Sequence, residues 1–286
     1  MKVLLTGAHG QLGRCLLDRV PAGWEMLAAD IDSLDITNAG QLGDVVAEFR
    51  PELIINAAAY TAVDKAETDA ERARLINVLG PENLAKAAKS VSARFVHVST
   101  DYVFDGTSSK PYIETDDTHP LGVYGATKLD GEIAVLHINP EALIIRTAWV
   151  FSEYGNNFLK TMLRLAREKN IINVVDDQRG CPTYAGDIAQ TIITLAGVQE
   201  ASGVYHFCGN KEVSWKEFTD CIVSKAKSLN LISRCPIVKG ISTDQYPTAS
   251  QRPKYSTLSC QKISRFGIQP SDWSAALTAC LPRIVL

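Results

Sequence analysis

The stretch Val3-Leu4-Leu5-Thr6-Gly7-Ala8-His9-Gly10-Gln11-Leu12-Gly13 decides the fold. Four residues suited to a strand run straight into three glycines, and a helical pattern begins at Gln11. The spacing is GxxGxxG, one residue wider at its start than the GxGxxG dinucleotide fingerprint. Gly7 permits a tight turn, Gly10 lets backbone approach a pyrophosphate, and Gly13 allows close helix–sheet packing. The N-terminus of the helix then offers unpaired N–H groups to phosphate. His9, Gln11 and Leu12, between the glycines, join them as candidate cofactor contacts. Any strand–turn–helix junction can use glycine; what distinguishes this one is position, because the turn closes a strand that begins at residue 2.

Outward from this junction the first half alternates. Apolar runs at 3–6, 26–29, 53–56, 95–99 and 143–146 are separated by helical patterns at 11–20, 39–49, 66–90 and 124–137. Nearly all-apolar strands separated by helices imply a parallel sheet covered on both faces, a doubly wound Rossmann-like α/β fold. Beyond residue 150 helices are expected at 158–169, 187–197 and 215–227, with a short strand at 204–207. The Pro-, Ser- and Thr-containing tail from 235 to 269 reads as irregular. The expected division is a dinucleotide-binding domain over 1–150 and a mainly substrate-binding region over 151–286, some of whose segments can return to the first. Ligands of open α/β sheets bind outside the carboxyl ends of the strands, so the second region would cap that crevice.

Composition narrows the classes. The 286 residues are 46% hydrophobic and 21% charged, enough for a sizeable core, and the formal net charge of −3 provides no global attraction for nucleic acid or anionic lipid. No apolar run approaches the roughly 18–20 residues that cross a bilayer. The N-terminus enters the first strand without a leader pattern. Seven cysteines, none closer than 13 residues to another, form neither CxxC nor a Cys/His cluster, which excludes a sequence-readable zinc site and points to a reducing, cytoplasmic setting.

Two constellations carry chemistry. Asp30, at the end of the second strand, lies about 20 residues beyond the glycines, where an acid binds the adenosine ribose 2′-hydroxyl. Its charge would repel the 2′-phosphate of NADP, which tilts the choice toward NADH; a plain loop cap is the competing reading. Asp35 and Ile36 are assigned to the same site, and Ala57, Ala58 and Ala59 after the third strand are small where backbone passes a cofactor. The second constellation is Tyr124 and Lys128, four apart on one helix face. An ammonium near a phenol stabilises phenolate and lowers a pKa of about 10, so the pair can exchange a proton with a carbonyl or hydroxyl. Thr100, ending the fourth strand, would offer its hydroxyl to the same oxygen. His97, alternating within that strand, reads as structural, and Asp64 and Glu67 as helix-entry charges.

At this point the chain resembles the extended short-chain dehydrogenase/reductases and, within them, the dTDP-4-dehydrorhamnose reductase family. The matching stretches are GAHGQLG at 7–13, NAAAYTAVDKAE at 56–67, STDYVFDG at 99–106, YGATKLDGE at 124–132, RTAWVF at 146–151, GNNFLKTML at 155–163 and DDQRGCPTYAGDI at 176–188. Arg252-Pro253 with Ser256 and Leu258 fits RPxxSxL. The resemblance implies NADPH- or NADH-dependent reduction of the C4 ketone of dTDP-4-dehydro-β-L-rhamnose. Tyr124 would protonate the oxygen, Lys128 would also hold the nicotinamide ribose, and Thr100 would stabilise developing charge. Asn77 matches a family helix position beside the cofactor. Thr61, Val63, Asp101, Tyr102, Phe104, Trp149 and Asn157 would meet the sugar nucleotide, and Arg252 the diphosphate, since a guanidinium grips phosphate in a forked geometry. Core packing is an equal reading for Trp149, and a surface ion pair is the alternative for Arg252.

Some family members bind magnesium across a dimer through a glutamate after the glycine loop and acidic C-terminal residues. Here Arg14-Cys15 follows the loop and the sequence closes on Pro282-Arg283-Ile284-Val285-Leu286, so Mg2+ is doubtful and both monomer and homodimer stay open. Two other functions compete. A non-catalytic dinucleotide-binding regulatory subunit has no need of a tuned phenol. A nucleotide-sugar epimerase or dehydratase would retain its nicotinamide through the cycle, and a dehydratase would want a second acid after Asp101.

Overall fold

A computed structural model describes residues 1–284; Val285 and Leu286, the end of the C-terminal stretch weighed above against magnesium binding, lie outside the described residues. Six parallel strands form the central sheet: β1 Lys2–Thr6, β2 Glu25–Ala29, β3 Leu53–Asn56, β4 Arg94–Thr100, β5 Leu143–Thr147 and β6 Gly203–His206. Their spatial order is β2-β1-β3-β4-β5-β6. The direction of winding reverses between β1 and β3, so the connections leaving their carboxyl ends part and open a crevice.

The main helices are α1 Gln11–Leu17, α2 Ala39–Phe49, α3 Gly80–Ser90, α4 Val123–Ile138, α5 Phe158–Glu168, α6 Ala185–Ala196, α7 Trp215–Ser228 and α8 Trp273–Cys280. Alternation along each strand sends Leu4, Ile54 and Ile144 toward α2, α3 and α4. Leu5, Ile55 and Ile145 face the other way, toward α1 and α6. Each such side chain, essentially inaccessible to water, contributes about 1.5–3 kcal/mol. Double coverage explains why these strands read as unbroken apolar runs.

After residue 151 the chain leaves the sheet, returns through α6 and β6, which pairs with β5, and leaves again. The excursions build a second core from α5, α7 and α8, including Leu159, Leu163, Phe218, Ile222, Trp273 and Leu277. Two sequence expectations are corrected. The single helix over 66–90 is four pieces: turns at Val63–Ala66 and Ala70–Arg74, a π-helical turn at Leu75–Leu79, and α3. Pro81 lacks the N–H that an α-helix would direct at the Asn77 carbonyl, so the regular ladder cannot run through. The tail is not wholly irregular either, because Ile237–Ile241 pairs in parallel with Ile171–Val175. Pro236 immediately before it and Gly240 within it hid that edge strand.

Candidate active site

A cleft of about 900 Å3 opens at the carboxyl ends of β1, β3, β4 and β5, with the first turns of α5 and α7 as its far wall. Ligand pockets run to about 300–1,000 Å3, which puts this cleft near the upper end of that range. Gly7, His9, Gly10, Gln11, Leu12, Asp30, Asp35, Ile36 and Ala57–Ala59 line one arm.

Backbone proximity dictates the glycines. Gly7 has φ +72°, and a Cβ there would come within 2.5 Å of the Ala58 nitrogen. A Cβ on Gly13 would come within 2.2 Å of the Gly7 carbonyl oxygen. Gly13 therefore sets how closely α1 seats on the loop and does not itself line the cleft. Asp30 does two things at once. It lines the cleft, and its carboxylate accepts the His9 and Ile31 backbone N–H groups at 2.8 and 2.9 Å. Gln11 ties the loop to the far wall: its Oε1 accepts from Asn157 Nδ2 at 2.8 Å and from Ser152 Oγ at 3.0 Å.

Tyr124 and Lys128 occupy successive turns at the start of α4, with Thr100 opposite at the end of β4. All three line the cleft, yet Thr100 and Lys128 are 6% and 2% exposed. Burial pushes the Tyr124 phenol up to about 12; the neighbouring Thr100 hydroxyl pulls it back and Asp101 adds to the rise. The expected lysine-softened phenol is thus corrected. The Lys128 ammonium is turned instead to the Val98 carbonyl, 2.7 Å away, with His97 Nε2 at 3.4 Å. Burial brings Lys128 down to about 8, against the pull of Glu132.

Other expected contacts are redistributed. Asn77 does not line the cleft: it is fully buried in the π-turn, donating to the Tyr60 carbonyl and the Thr127 hydroxyl and accepting the Tyr60 N–H. It clamps the 57–60 segment to the turn of α4 that bears the tyrosine and lysine. Phe104 lies beneath the surface, stacked 4.2 Å from Tyr112. Arg252 pairs with Asp64 at 2.7 Å and donates to the Ser250 carbonyl. Thr61, Val63, Asp101, Tyr102, Trp149 and Asn157 line the cleft, although Asn157 also caps α5 by accepting the Lys160 N–H. Burial lifts Asp101 to about 6, although Thr100 donates to its Oδ1 at 2.9 Å.

The wall opposite Tyr124 is aromatic. Trp149, at φ +47°, stacks on Trp215 with ring centroids 3.4 Å apart and planes 3° from parallel. Phe158 leans on Trp215 at 4.4 Å. Trp215, Phe158 and Phe218 line the cleft and were not expected there. Trp215 and Phe218 read as the apolar face of an ordinary amphipathic helix; the only local signal was the capping box of Ser214 and Glu217 that starts α7 at the tryptophan. Among the described residues no group of three or more His, Cys, Asp or Glu side chains is placed to hold a metal ion.

A glycine loop at the first turn of a doubly wound sheet, with a threonine, tyrosine and lysine gathered at the sheet's carboxyl edge, defines a chain of the extended short-chain dehydrogenase/reductase type. The family model described as "RmlD substrate binding domain" matches residues 1–285. A dTDP-4-dehydrorhamnose reductase of Aggregatibacter actinomycetemcomitans is 48% identical, covering 96% of this chain and 97% of its own. That of Escherichia coli K12 is 38% identical over 98% and 97%. The chain belongs to the dTDP-4-dehydrorhamnose reductase family. Among solved structures, a Clostridium acetobutylicum dTDP-4-dehydrorhamnose reductase superposes with TM-score 0.93 at 37% identity, covering 99% of both chains. The Bacillus anthracis enzyme in complex with NADP gives 0.92 at 38%, covering 98% of both.

Proposed function

We propose that this protein reduces the C4 ketone of dTDP-4-dehydro-β-L-rhamnose to dTDP-β-L-rhamnose, with NADH as the preferred donor. The observation that carries the reading is the half-buried Tyr124 with the buried Thr100 and Lys128 on the floor of a cleft whose other arm is the glycine loop. The residues fit a dinucleotide: the turn at Gly7 has no room for a side chain, and Asp30 anchors the loop while lining the cleft. Gly7, Gly10, Gln11, Leu12, Asp30 and Ala57–Ala59 would hold it, and when bound it supplies hydride. Asp30 favours the form without a 2′-phosphate. Among the described residues no Lys or Arg pairs with Asp30, and the His9 ring lies 3.9 Å from its carboxylate.

Tyr124 carries the proton. A phenol at about 12 is protonated throughout the neutral range, the correct form for a group that must donate. The alkoxide formed from a ketone is a stronger base than phenolate, so transfer runs downhill. Thr100, whose hydroxyl donates to Asp101 Oδ1 at 2.9 Å, can turn that proton to the phenolate left behind, and the Lys128 charge steadies it in a water-poor pocket where such interactions are strengthened. Trp149, Trp215 and Phe158 supply flat apolar faces for the ring systems of the substrate. The nucleotide sugar is the small-molecule partner, and we place the reaction in the cytoplasm.

The test is a panel of nucleotide-linked 4-keto sugars offered with NADH or NADPH. The reading expects loss of nicotinamide absorbance with the dTDP-linked 4-keto-6-deoxy sugar, and faster with NADH. No oxidation with any member, or cofactor retained through gel filtration with product of unchanged oxidation state, would overturn it.

A further inference from the structure

Among the buried titratable side chains that the reaction as proposed leaves unused is His97, in the middle of β4 and inaccessible to water. It belongs to a chain of polar atoms crossing three strands. Thr6 Oγ1 donates to Asn56 Oδ1 at 2.8 Å, Asn56 Nδ2 lies 3.0 Å from His97 Nδ1, and His97 Nε2 lies 3.4 Å from Lys128 Nζ.

The chain has a direction, fixed at its far end by the backbone. The Ala58 N–H can only donate, and it reaches the same Asn56 atom at 3.0 Å. That atom must be the amide oxygen, so the amide NH2 faces His97 Nδ1. Nδ1 must then accept, which places the imidazole proton on Nε2. The Nε2–H in turn faces Lys128, whose ammonium has three donors and no acceptor, whereas its neutral amine offers a lone pair.

We propose that His97, held by Asn56 as the Nε2–H tautomer, is a positioning residue that favours the neutral amine of Lys128 and so keeps the lysine poised between amine and ammonium at working pH. The other groups around the amine do not reverse this. From β4 it meets the Val98 carbonyl, which accepts in either state. One turn along α4, Glu132 pulls toward the ammonium, but Glu132 is engaged by Arg146 through contacts of 2.7 and 3.0 Å. His97 is itself held well below its ordinary value by burial and by Lys128, so it stays neutral. For the reaction, the lysine can then give up and regain a proton beside Tyr124 instead of standing as a fixed charge. This consequence rests on the reductase reading; the tautomer does not.

The tautomer is measured without turnover, in wild-type protein labelled with 15N-histidine, from long-range proton–nitrogen correlations. The expected pattern is protonated Nε2 and bare Nδ1, unchanged across the pH range in which the protein stays folded. An Nδ1–H pattern, or an imidazolium, overturns the proposal even if the reductase reading stands. Asn56→Asp then reverses the chain: a carboxylate accepts from Nδ1–H and frees the Nε2 lone pair for the ammonium, while still serving Thr6 and Ala58. The expected result is a switched tautomer with the Lys128 13Cε titration displaced upward, to a proton concentration about tenfold lower or beyond, and the alkaline limb of kcat moving with it at unchanged KM. An Nε2–H pattern persisting in the aspartate variant would overturn the proposal. So would an ordinary lysine midpoint in the wild type. Should the variant fail to fold, the wild-type spectra decide alone.

Discussion

The floor and the wall of the cleft are held by different forces. On the floor, directional bonds fix every part: Lys128 to the Val98 carbonyl, Asn77 to Thr127 and Tyr60, and Thr127 back to the Tyr124 carbonyl. On the wall, Trp149, Trp215 and Phe158 are held ring against ring. Hydrogen bonds weaken steeply with misalignment, whereas stacked faces can slide at little cost. A floor of this kind suits proton transfer, and a wall of this kind suits admitting and gripping a ligand. The contrast predicts that floor variants damage kcat and wall variants damage KM.

The strongest way to break that contrast is Tyr124→Phe. Loss of the proposed general acid is expected to lower kcat by about 10²–10⁴-fold, with NADH affinity measured by fluorescence titration nearly unchanged. Unchanged kcat with lost cofactor affinity would place the phenol on the wrong side of the division. Next in size is the support beneath the floor, the Glu132–Arg146 pair, whose side chains are 3% and 5% exposed. Arg146→Met strands a buried carboxylate and should cost about 3–5 kcal/mol in chemical denaturation; a loss below about 1 kcal/mol would show that the pair is not a support.

The pH profile sharpens the comparison further. Lys128 is depressed to about 8, so its ammonium is lost as pH rises through that value, and kcat should fall up to tenfold for each pH step above it. Trp215→Ala should leave that limb where it is, since the wall carries no part of the proton path. Its own effect is the smallest. Removing one partner of an aromatic pair is worth about 0.5–1.5 kcal/mol beyond lost area, or roughly a 2- to 13-fold rise in substrate KM with kcat held. A fall in kcat that outweighs the rise in KM would merge wall and floor.

The same division describes what the amino-acid sequence disclosed. Leu53–Asn56 and Ala39–Phe49 occur with the boundaries their patterns suggested, because a strand buried on both faces and an amphipathic helix each write their environment into local sequence. The glycine loop was legible for the same reason: a backbone that must touch Ala58 excludes every side chain but hydrogen. Burial of particular atoms is not written locally. Nothing near Tyr124 announced that its phenol would rise, that Phe104 would point into the core, or that His97 would stand against Lys128. Trp215 lies 66 residues from Trp149 in the chain, and only the folding of α7 over the cleft brings the rings together. Motifs marked where the chemistry sits, while the tuning of each group arose from tertiary contacts.

The most direct test of the account follows the fate of hydrogen at C4. The protein is given the dTDP-linked 4-keto-6-deoxy sugar and NADH carrying deuterium at the transferable position of its nicotinamide ring, and the product is read by NMR. A dTDP-rhamnose with a single deuterium at C4, formed one for one with oxidised cofactor, is the predicted result. A product without deuterium, or an isomerised keto sugar with the cofactor still reduced, would contradict it.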